Sequence, residues 1–152
     1  MNGKAVGAAD LYMYLLLHIM KQLLSFRTAV YSTVTILSLI ILFHILVITG
    51  VIPFGIVWGG RLTNHQQMVQ FETTSILINL VMISIVATKA GWLIKQMNER
   101  IINILLWLMV GLFTLNTIGN IFAENKIEAI IFTPMTFLLA IFCIRMALEK
   151  KS

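Results

Sequence analysis

Glu72 stands in a stretch, Met68 to Ala90, that is otherwise mostly Ile, Leu, Val, Met and small polar residues. An acid there can hold a proton, pair with a cation or accept hydrogen bonds. An ionisable side chain costs about 2.5–3.5 kcal/mol to place in lipid, so such groups turn inward and find partners. Ser75 and Asn79 follow at i+3 and i+7, on the same helical face. Other polar groups fall at a similar depth: His44, Arg61, Asn116, Thr117, Asn120, Thr133 and Thr136. Arg61 is the nearest cation upstream, so the expected pair is Glu72–Arg61. Asn116 and Asn120 would hydrogen-bond the same carboxylate, and His44 would complete the network.

Two uses fit such a constellation. One is an outward-opening polar pocket for a small molecule or lipid headgroup, formed by Glu72, Arg61, His44, Asn116, Asn120 and Thr117, with Trp58 at the membrane interface. The other is a buried network that fixes helix register. Interhelical hydrogen bonds average about 0.6 kcal/mol each, so several are needed to specify packing. A third use, Glu72 with His44 as general acid or base, requires a desolvated site.

Other chemistries find little support. His44, His65 and Glu72 lack the i, i+3 or i, i+4 spacing of a helical metal site, and Cys143 is the single cysteine, so no metal and no cofactor is expected. GxSxG, HExxH, P-loop and Rossmann glycine patterns are absent from the sequence. The net charge is +5, but the basic residues sit at the ends of apolar runs and form no nucleic-acid-binding stripe.

The elements that must position these groups follow from hydropathy. Charged residues make up 11% of the chain, against roughly 25% in soluble domains, and mean hydropathy is +0.95. The spacing predicts an all-α, four-helix transmembrane bundle with spans at about 28–50, 68–90, 101–123 and 127–147. Residues 1–27 form an amino-terminal segment: Met1 to Asp10 reads as disordered, with no removable signal peptide. Leu11 to Phe26 is amphipathic, suited either to the headgroup plane or to extending the first span. Between the first two spans, Pro53 and Gly50, Gly55, Gly59 and Gly60 break the helix within an apolar sequence, so a folded loop capping the bundle is expected. Gly111, Gly119 and Ala123 give the third span a small-residue edge suited to close helix contact, within one chain or between copies.

Lys4, Lys21, Arg27, Lys89, Lys95, Arg100, Arg145, Lys150 and Lys151 fall on one side of this arrangement, Arg61 and Lys126 on the other. Both termini are therefore expected in the cytoplasm, with residues 53–67 facing outward.

The runs IPFGIVWGGRL, FETTSILINL and LNTIGNIFA, in this order, resemble a group of small bacterial four-span membrane proteins without an established activity. That resemblance, over about Leu37 to Ala147, implies a bacterial inner-membrane protein and transfers no chemistry. Span number and size also look like DoxX-like and EXPERA-type four-helix proteins, an analogy of fold. Of the acid pair used by EXPERA-type sites, this chain supplies Glu72 alone. The leading expectation is a non-enzymatic membrane protein that binds a small or lipid-like ligand in its outer half or serves as a partner subunit, with homo-oligomers possible and no nucleic acid involved. A membrane enzyme using Glu72 and an oligomeric channel or transporter are the alternatives.

Overall fold

A computed structural model describes residues 8–94, 97–123 and 126–149. Lys4, Lys95, Lys150 and Lys151, used above to orient the chain, lie outside them, as do residues 1–7 of the segment read as disordered and residues 124–125 of the last turn.

The described residues form five α-helices in turn: α1 Ala8–Leu23, α2 Phe26–Ile48, α3 His65–Lys89, α4 Glu99–Ile121 and α5 Lys126–Ala147. The described residues contain no strand. Helices α2, α3 and α4 and residues Ala129–Ala147 of α5 are long and apolar enough to cross a membrane. With Leu39, Leu77, Leu108 and Phe137 among many large apolar side chains exposed on their outer faces, the chain is a multi-pass membrane protein built as a four-helix bundle. At about 1.5 Å per residue, the 16 residues of α1 span only about 24 Å.

Local signals set the helix limits. Ser25 caps α2 by accepting the Thr28 amide at 3.0 Å. Asn64 caps α3 by accepting the Gln67 amide at 2.9 Å, while Gln67 Oε1 accepts back from the Thr63 amide. Asn98 caps α4 through the Arg100 amide. At the end of α3, Gly91 adopts φ +77°, which lets the Gly91 and Trp92 amides turn back to the carbonyls of Thr88 and Ala87. Pro134 lies inside α5, where its missing N–H deprives the Ile130 carbonyl of its helical donor.

The closest pairs are α4 with α5 and α2 with α3; α2 packs less on α5, and α3 less again on α4. The main core joins Val30 and Leu37 of α2, Val86 of α3, Leu106 and Phe113 of α4, and Leu139 and Met146 of α5. A smaller core lies under the α2–α3 connection, where Val57 and Leu62 of the loop bury against Val47 and Met68. The loop contains two short 3-10 turns, Phe54–Ile56 and Trp58–Gly60. We call this the loop end, and the opposite end, where α2 and α4 begin and α3 and α5 finish, the terminal end.

Candidate functional site

Glu72 follows Met68 at i+4, so both point from α3 toward α2, beneath the loop. Glu72 is 0% exposed. A carboxyl so placed must have donors, and each oxygen has one. Oε2 is hydrogen-bonded to His44 Nδ1, from the last turns of α2. Oε1 accepts from the Trp58 indole Nε1 at 2.8 Å. The site therefore ties together α2, α3 and the loop.

The indole reaches Glu72 because the loop backbone is unusual at that point. Trp58 has φ +56°, in the left-handed region where a side chain larger than glycine is strained. Gly60 follows at φ +70°, with the Gly55 carbonyl oxygen only 3.3 Å from where a Cβ would sit, so that position requires glycine. Phe71 packs edge-on against the indole, at 5.2 Å and 77°. Strain at Trp58 is thus offset by a part-buried hydrogen bond, a ring contact and the small core beneath. Trp58→Phe keeps a ring at this position but removes the N–H, leaving Oε1 buried without its donor. Thermal unfolding in detergent is expected to show a loss of about 1–3 kcal/mol.

His44 is 12% exposed in its side chain. With Nδ1 taken by Glu72, its Nε2 has no hydrogen-bond partner among the described residues. A ring nitrogen fixed by a carboxylate, with the other left over, is an oriented imidazole that can donate to, or accept from, a group brought to it.

The expected partnership of Glu72 with Arg61 and the two asparagines is corrected. Arg61 is exposed on the loop and has no ion pair among the described residues. A guanidinium at the rim keeps its solvation, whereas drawing it under the loop would cost several kcal/mol. Asn116 and Asn120 sit on α4, while the Glu72 face of α3 turns toward α2. Asn116 is exposed and Asn120 half-buried. Thr117 meets a different partner: its hydroxyl donates to Thr136 Oγ1 across α4–α5 at 2.8 Å, and Thr136 donates to the Phe132 carbonyl. The Thr133 hydroxyl is buried and has no partner among the described residues. Among the described residues, no group of three His, Cys, Asp or Glu is placed to hold a metal ion.

A second polar network, at the terminal end, went unread in the sequence. The Lys89 side chain is 5% exposed; its Nζ donates to Asn103 Oδ1 and to the Glu149 carbonyl, both at 2.8 Å, and lies 3.6 Å from Glu99 Oε1. Arg145, 4% exposed, donates from Nε to the Leu24 carbonyl and from Nη1 to Glu149 Oε2, both at 2.8 Å. This network joins the α1–α2 junction, the end of α3, the start of α4 and the end of α5. Its signal in the sequence is cations at the ends of spans, a pattern that topology alone also produces.

The polar groups thus divide into a loop-end unit on α2–α3, a hydroxyl pair on α4–α5 and a charged clamp at the terminal end. Comparison of the chain with protein-family models, curated proteins and solved structures gave no match.

Proposed function

We propose that this is a multi-pass protein of the bacterial inner membrane, with both termini cytoplasmic, that binds a hydrogen-bonding, lipid-like ligand at its outward-facing loop end through His44. The observation that carries this reading is the division of labour at Glu72. Both carboxyl oxygens are committed to protein donors, so Glu72 positions His44 and Trp58 and does not itself meet the ligand. What remains for a ligand is His44 Nε2, on a ring that keeps some exposure. An intramembrane ionisable group held in a defined orientation is a functional feature by default.

The same arrangement supports a second reading. A carboxyl on one ring nitrogen and a free second nitrogen is how an imidazole is set up for acid–base chemistry. Binding is the better-supported of the two, because among the described residues no nucleophile is hydrogen-bonded to that ring. A conducting path is weighed against by the fully buried Leu37, Leu106 and Leu139 between the two polar ends.

Substituting His44 tests the reading. In His44→Asn the amide nitrogen can replace Nδ1 toward Glu72, but nothing replaces Nε2. Stability is expected to stay within about 1 kcal/mol of the parent. The probe is the ¹⁵N shift of Nε2 in a His18→Gln, His65→Gln background, compared between dodecyl maltoside and phosphatidylglycerol nanodiscs. A lipid-dependent shift supports the proposal; identical shifts in both media contradict it. Orientation is tested separately: Arg61→Cys in intact cells should react with a membrane-impermeant maleimide, and Glu99→Cys should not.

A further inference from the structure

Beyond the His44 unit, α3 and α4 pack more loosely than α4 with α5 or α2 with α3, and an opening lies between them. Between α3 and α4 runs a groove of about 310 Å³, walled by Leu77, Ile78 and Val81 on one side and Leu108, Met109 and Leu112 on the other. Every lining side chain is Leu, Ile, Val or Met. The two helices run in opposite directions, so Ile78 and Leu112 mark the same end of the groove. One helical turn farther toward the loop end, the register places Thr74 on α3 and Asn116 on α4. Both are exposed, and neither side chain has a hydrogen bond among the described residues. The amide of Asn116 lies on the exposed face of a helix long and apolar enough to cross a membrane, where a polar group without a partner is costly. Gly119, three residues beyond Asn116, leaves open space where a side chain would stand.

We propose that this groove holds one acyl chain of a bilayer phospholipid, with the ester region of that lipid hydrogen-bonded at Asn116 and Thr74. The walls match a hydrocarbon chain, and the uncommitted amide matches an ester carbonyl at the depth where apolar wall gives way to polar mouth. A helix of a second copy is about 10–12 Å across with its side chains, too thick to enter a void of this size between two neighbouring helices. The site rests on the membrane reading and not on His44, since Met68 and Glu72 occupy another side of α3.

The test uses the full chain in nanodiscs containing phosphatidylglycerol with a diazirine in its acyl chain, with labelled residues mapped by mass spectrometry. Labelling at Val81 and Leu108 should exceed that at Leu39 and Leu42, equally lipid-facing on α2, by roughly fivefold. Val81→Trp, at a position already 60% exposed and so tolerant of bulk, should fill the groove and bring Leu108 down to the α2 level. Asn116→Leu should weaken the labelling preference about threefold to tenfold. Equal labelling on α2 and in the groove, or no response to Val81→Trp, would overturn the proposal. So would an efficient cross-link between two copies through Leu108→Cys, which would assign the face to a dimer. His44→Asn should leave groove labelling unchanged, so failure here and failure at His44 are separable.

Discussion

Glu72→Ala is expected to destabilise the protein by about 3–5 kcal/mol, the usual cost of removing one partner from a buried polar pair. The substitution strips the acceptor from both His44 Nδ1 and Trp58 Nε1. It also leaves the strained Trp58 backbone without the bond that holds it. The small core of Val47, Val57, Leu62 and Met68 should loosen with it. Thermal unfolding in detergent measures the loss, and hydrogen exchange should localise it to residues 50–64. Glu72→Gln should cost less, about 1–2 kcal/mol, because a carboxamide oxygen still accepts the indole N–H. A Glu72→Ala protein as stable as the parent would show that the carboxyl anchors nothing.

At the opposite end, Arg145→Ala is expected to cost about 2–4 kcal/mol. Arg145 is buried and uses two arms of its fork, one on the Leu24 carbonyl and one on Glu149. Truncation leaves that carbonyl without a donor at the junction where α1 meets α2. Arg145→Lys should rescue little, because a single ammonium on a flexible stem cannot reproduce both bonds of a planar fork. The neighbouring Lys21–Glu149 contact, at 3.9 Å between partly exposed groups, contributes little by comparison. Accelerated exchange of the amides at residues 20–27 in Arg145→Ala would place the effect at this junction; unchanged exchange there would contradict the role given to the fork.

The spans were legible because lipid imposes a length and an apolarity on every crossing helix, and both are written directly in the residues. Depth was legible for the same reason: His44, Glu72 and Trp58 do meet at the loop end. Direction around the helix was not. In a soluble helix, apolar periodicity marks the buried face. In a bilayer both faces are apolar, so the period fades. Asn116 shows the consequence, since its height along α4 is as read but its side chain faces away from Glu72. Arg61 shows another: proximity in sequence named it as the partner, while the tertiary structure brought His44 from 28 residues upstream of Glu72. Lys89 and Arg145 show a third. A cation at the end of a span reads alike whether it snorkels to water or is buried in a clamp, and only packing separates the two.

The joining of the Glu72 carboxyl to the His44 imidazole is tested most directly by a double-mutant cycle with Glu72→Leu and His44→Leu, read by reversible unfolding in detergent. Each single substitution leaves a buried polar group without its partner; the double substitution removes both. The double variant is expected to be at least as stable as the worse single variant, with a coupling of about 1.5 kcal/mol or more. Additivity within about 0.5 kcal/mol would show that the two side chains do not interact.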